Sequence, residues 1–172
     1  MDDDVDAIAR AWARERPGTP VGSIGVITRI WRIGKILNDE RRRTLNRLGI
    51  DAATLDLLST LRRAGRPYTL APGELARLSL VSAGAISQRV ARAEQSGLVC
   101  RKKAGPDGRG VLVTLTTAGH RLLDRSVDAL LTHEEGLLDA LSADQRDQVS
   151  DLLRVLLADL TERVGTDGRS GP

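Results

Sequence analysis

Residues 72–115 read PGELARLSLVSAGAISQRVARAEQSGLVCRKKAGPDGRGVLVTL, and this stretch decides the fold. Pro72 suits the first turn of a helix, where its missing N–H is no loss, so a short helix is expected over 72–78. Ala71 has no oxygen to cap it, and that start is expected to be loose. Ser82 caps a second helix that runs to Ser96 and stops at Gly97. At 100° per residue Ile86, Val90 and Ala93 fall together on a core face, and Gly84, Gln88, Arg92 and Gln95 fall opposite. LVCRKK (98–103) and VLVTL (111–115) then read as two strands, with Pro106-Asp107-Gly108 as the turn signal. Helix, turn, helix and β-hairpin in that order spell a winged helix-turn-helix.

Long helices flank this centre. On the N-terminal side, 5–16 forms a short helix with Val5, Ile8, Ala9 and Trp12 on one face, broken by Pro17, Gly18 and Pro20. A long helix over 22–47 carries a wide apolar stripe and ends at Gly49, and Asp51 caps the next, which ends in Arg62, Arg63 and Gly65. Residues 67–70 are short and extended. On the C-terminal side, Thr116 or Thr117 caps a helix reaching Leu130, and Ser142 with Gln145 makes a capping box for a last helix rich in Leu and Val. The class is mostly α with a small β-hairpin wing, flanked by N- and C-terminal helices. Those apolar end helices have little to bury against in one small domain. They imply interlocking with a second copy of the chain, the alternative being one larger monomeric bundle.

The 172 residues suffice for about one domain, and 41% hydrophobic with 28% charged residues is a globular composition. No apolar stretch reaches membrane-spanning length, and the acidic start MDDDVDAIAR lacks the basic and apolar regions of a secretory signal, so a cytoplasmic protein is expected. The single Cys100 excludes an internal disulfide and a thiolate metal cage. With no P-loop, nucleophile elbow or paired-histidine motif, neither enzyme, cofactor nor metal is expected. His120 reads as a surface residue.

The net charge of +3 hides a division. Between Arg62 and Arg109 stand ten basic and three acidic residues, whereas the rest of the chain has 16 and 20. A basic middle between acidic flanks suits a polyanion. Three aromatic residues (Trp12, Trp31 and Tyr68) are too few for a base-stacking reader of single strands, so the expected partner is double-stranded DNA at a pseudo-palindromic operator. Ser82, Ala85 and Ser87 are small enough, with Gly84, to let the helix approach a major groove. Gln88 suits adenine, and Arg92 suits guanine or phosphate. Lys102 lies on the first wing strand with Arg101 and Lys103. Arg109, just past the wing tip, suits a narrow minor groove, with Asp107 placed to orient it. The plainer alternative is a solvated helix and an ordinary surface hairpin.

At these residues the sequence closely resembles the MarR family of bacterial transcriptional regulators. SAGAISQRVARAEQSGLVCRK is similar to that family's recognition helix and first wing strand. PDGRGVLVTLTTAG is similar to its wing signature, with Asp107, Arg109, Leu115, Thr116 and Gly119 in place. The resemblance implies a dimeric regulator, commonly a repressor. AWARERPGTP and LDLLSTLRRAGRPYTLAPGELA further resemble the urate-responsive PecS/HucR branch, although Leu55 stands where that branch usually has Phe. This implies a small aromatic anion such as urate as effector, held by Trp12, Asp56, Arg89 and Arg101. The wheel places Arg89 between the core stripe and the exposed face, from which it can turn inward toward Asp56. Another phenolic ligand, or oxidation of Cys100, is the alternative trigger. The expected divisions are 1–50 for dimerisation and the ligand pocket, 51–116 for DNA binding, 117–164 for dimerisation, and a disordered tail over 165–172.

Overall fold

The structure, a computed structural model, describes residues 2–103 and 110–167. Helix α1 (Asp4–Glu15) starts at Asp3, whose carboxylate accepts from the N–H groups of Val5 and Asp6, while Asp6 accepts from the N–H of Asp3. A single 3-10 turn, Val21–Ser23, leads into α2 (Ile24–Leu48). Ion pairs clasp the two helices: Arg29 bonds Asp3 and Asp6, each at 2.9 Å, and Arg32 bonds Asp4 at 2.5 Å. The Arg29 guanidinium holds the Asp3 carboxyl down at about 2, and Asp4 and Asp6 are also lowered. Gly49, with φ +68°, closes α2 in the left-handed conformation that glycine adopts without penalty.

The core lies in the centre of the chain. Asp51 caps α3 (Ala52–Arg63) through the N–H of Thr54, and Leu57, Leu58 and Leu61 on that helix are completely buried. Around them pack Leu75 of α4 (Pro72–Leu78), Ile86, Val90 and Ala93 of α5 (Ala83–Gln95), and Leu123 of α6 (Thr117–Gly136). Strands β2 (Val99–Lys103) and β3 (Val111–Leu115) form the antiparallel hairpin, Cys100 opposite Thr114. The extended segment before α4 joins them as β1 (Thr69–Leu70), which pairs with β3 and makes the sheet three-stranded in the order β1-β3-β2. Gly119 is obligatory for this packing: a Cβ there would sit 2.1 Å from the backbone oxygen of Leu98.

The chain divides into two compact units, one up to Leu130 and one from Leu131 onward. In the second, the capping box forms as expected, Ser142 and Gln145 exchanging bonds of 2.9 and 3.3 Å ahead of α7 (Ala143–Asp167). Arg146 bonds Glu135 and the Leu141 carbonyl. Helix α7 exposes Leu152, Val155, Leu157 and Val164. It continues to Asp167, and the rest of the expected tail lies outside the described residues. In the first unit, α2 likewise exposes Trp31, Ile33 and Ile36. No helix among the described residues is long and apolar enough to cross a membrane.

Candidate nucleic-acid interface

The second helix of the central pair owes its position to both ends. Ser82 Oγ accepts the N–H of Ala85 at 3.2 Å and fixes the first turn, and Gly97, with φ +69°, releases the chain into β2. Between them Ile86, Val90 and Ala93 are buried, as the helical wheel requires. Ser82, Gly84, Ser87, Gln88 and Arg92 are exposed, and Ala85 is half-buried. One helix therefore presents small residues at its start and longer polar ones further on. Lys102 is exposed on β2 beside Arg101 and Lys103. Arg109, and Asp107 that is expected to orient it, lie outside the described residues.

Helix α4 ends without glycine. Leu80 takes the left-handed conformation at φ +52° and leaves 92% of its surface open, while Val81 N–H returns to the Ala76 carbonyl at 3.1 Å. As expected, Ala71 gives the start of α4 no side-chain cap.

Of the four residues implied as effector ligands, the structure brings two together. Arg89 does turn inward, donating to Asp56 of α3 at 2.9 Å, with 21% of its side chain exposed against 41% for Asp56. Arg101 is committed differently: it pairs with Glu94 of α5 at 3.0 Å, and its N–H donates to the same carboxylate. Nothing in the sequence pattern singles out Glu94. Trp12 lies on α1, half-exposed. Three open clefts, of about 710, 490 and 320 Å³, are lined by other residues. Cys100 is a half-buried free thiol. No cluster of three metal-ligating side chains occurs among the described residues.

His120 is not the plain surface residue expected. It is half-buried at the start of α6, edge-on to Tyr68 with ring centroids 4.7 Å apart, and its Nδ1 meets the guanidinium of Arg62. The sequence gives little warning, since Arg62 and His120 are 58 residues apart and belong to no shared motif.

Two helices joined by a tight turn, the second bare along one face, and a hairpin after them whose first strand is basic define a winged helix-turn-helix protein. Residues 48–110 match the model of the MarR family. The reduced form of MarR from E. coli is 32% identical, covering 73% of this chain and 94% of that one with a TM-score of 0.60. The chain belongs to the MarR family. A cysteine-to-serine mutant of E. coli MarR complexed with operator DNA is 28% identical, covering 79% of this chain and 98% of that one with a TM-score of 0.63. The HTH-type transcriptional regulator PecS of Dickeya dadantii is 27% identical over 150 residues, 87% of this chain and 90% of PecS.

Proposed function

We propose that the protein is a homodimeric repressor of transcription that reads a pseudo-palindromic DNA duplex and is released from it by a small aromatic anion such as urate. The observation that carries the DNA reading is the exposed face of α5, with Gln88 and Arg92 beyond a capped, small-residue first turn. Such a helix start fits a major groove, where glutamine pairs with adenine and arginine with guanine. Lys102 and Arg109 then serve the phosphates and the minor groove, with Asp107 steering Arg109. The operator complex of the related MarR supports this reading. The exposed apolar side chains of α2, and separately of α7, favour a two-fold partner, with half-sites about one helical turn apart.

The effector reading rests on the Asp56–Arg89 pair. Arg89 belongs to the recognition helix, so an anion that replaces Asp56 as its partner acts directly on the part that reads DNA. Arg101 supplies a second planar donor and Trp12 an indole for stacking. The test is fluorescence anisotropy with duplex from upstream of the protein's own gene, titrated with urate. A coupling of about 1–3 kcal/mol would weaken DNA binding by about 5–150-fold. Trp12→Ala and Arg101→Ala should keep DNA affinity within a few-fold, on the order of 1 kcal/mol, and lose the urate effect. Failure to bind specific duplex at low salt would overturn the whole reading. Binding that is indifferent to millimolar urate would overturn only the effector.

A further inference from the structure

We propose that Arg62, Tyr68, His120 and Asp124 form a proton-operated latch at the root of the wing. It is closed while His120 Nδ1 keeps its lone pair and opens when that nitrogen takes a proton from solvent. A guanidinium carries donors only, so the ring nitrogen that meets Arg62 has to be the acceptor. A proton on Nδ1 would set two N–H groups and two positive charges against each other. Arg62 would then let go of the ring and keep its other partner, the Asp124 carboxylate, at 3.0 Å.

The charged and titratable groups around the ring come from each element packed there. Helix α3 supplies Arg62, and the segment leading into β1 supplies Tyr68, with Arg66 two residues earlier. Helix α6 itself carries Asp124 one turn on; Arg121 is the neighbour of His120 in sequence. Tyr68 is held twice: the His120 ring meets it edge-on, and the Arg62 guanidinium stands 5.2 Å from its centroid.

This cluster reaches the wing through the backbone. The Tyr68 carbonyl accepts the N–H of Leu115 at 3.2 Å, and Thr69 and Thr114 share a hydroxyl bond of 2.9 Å. Closing the latch presses the Tyr68 segment onto α6 and so anchors β1 and β3, the base of the hairpin. Histidine is the side chain whose ordinary charge change lies nearest neutral pH, so mild acidification is the perturbation that tests the latch. It does not depend on the DNA or effector reading above.

The test follows amide hydrogen exchange of Leu115 in the full chain, corrected for the intrinsic pH dependence of exchange. Protection in the wild type should fall on the order of tenfold between about pH 7.5 and 5.5, the size expected for one lost hydrogen bond to a charged group. In His120→Asn the side-chain oxygen can accept from Arg62 without titrating, and protection should stay flat. His133 is present in both proteins and serves as the internal control. Equal pH dependence in the two overturns the latch. If the variant does not fold, nitrogen NMR of the wild-type imidazole decides: a proton on Nδ1 at about pH 8 overturns the latch, and a proton on Nε2 supports it.

Discussion

The contact between Asp56 and Arg89 should be a true coupling, and its two halves should be unequal. Their atoms are 2.9 Å apart, but Arg89 is 21% exposed and Asp56 41%. Asp56→Asn leaves the less hydrated partner as an unpaired cation. Arg89→Met keeps the apolar stem and leaves the better hydrated carboxylate. A fully exposed pair contributes about 0.2–1 kcal/mol, and removing one member of a buried pair costs about 3–5 kcal/mol. This pair lies between those limits and nearer the first, because water still reaches both groups. Asp56→Asn should therefore cost about 1.5 kcal/mol and Arg89→Met about 0.7 kcal/mol, with a coupling energy of about 1 kcal/mol. Urea denaturation of the wild type, the two single variants and the double variant gives all three quantities. The coupling should shrink in about 1 M salt, where surface charges are screened within about 3 Å. A coupling below about 0.3 kcal/mol, or a larger loss for Arg89→Met than for Asp56→Asn, would refute the reasoning.

Gly119→Ala should destabilise the protein by about 2–3 kcal/mol in the same assay, because its Cβ would stand 2.1 Å from a backbone oxygen that cannot move without unseating β2. Leu80→Asn should stabilise by about 0.5–1 kcal/mol: the left-handed backbone at φ +52° penalises leucine, and its 92% exposed side chain has little burial to lose. An unchanged or lower denaturation midpoint would count against that account. The clasp between α1 and α2 should respond to acid. The lowered carboxyls of Asp3, Asp4 and Asp6 contribute stability above the ordinary value of 3.8 and lose it as pH falls, for Asp3 through about 2. Trp12 fluorescence, read in a Trp31→Phe background, should hold steady from neutral pH to about 5 and change only below about 4.

The parts legible in the sequence are those fixed within a few neighbouring residues. Ser82, Asp51 and the Ser142–Gln145 box name helix starts because capping is a bond between groups two or three positions apart. Ile86, Val90 and Ala93 mark the buried side of α5 because helical periodicity is local too. Strand β1 is legible only as an extended segment, since two residues are too few to show alternation and their partner in β3 is 43 to 45 positions away. The end of α4 carries no glycine to mark it, and leucine in the left-handed region gives no compositional signal. The inward turn of Arg89 was within reach of the wheel, whereas the commitment of Arg101 to Glu94 depends on how β2 leaves α5.

Helix α3 carries one side of each contact, the Asp56–Arg89 pair and the Arg62–His120 pair. Its buried face, Leu57, Leu58 and Leu61, is completely enclosed, so the helix cannot shift without repacking the core. Its partly exposed side meets α5 through Asp56 and α6 through Arg62. Those two positions are six apart in sequence, less than two helical turns, or about 9 Å along the axis. A change in the partner of Arg89 and a change in the partner of Arg62 therefore act on one rigid rod. If both devices operate as proposed, their effects on the wing should not be independent. A double variant, Asp56→Asn with His120→Asn, should depart from the sum of its single effects on Leu115 exchange by at least about 0.5 kcal/mol. Additivity within about 0.3 kcal/mol would mean that α3 holds the two contacts without linking them.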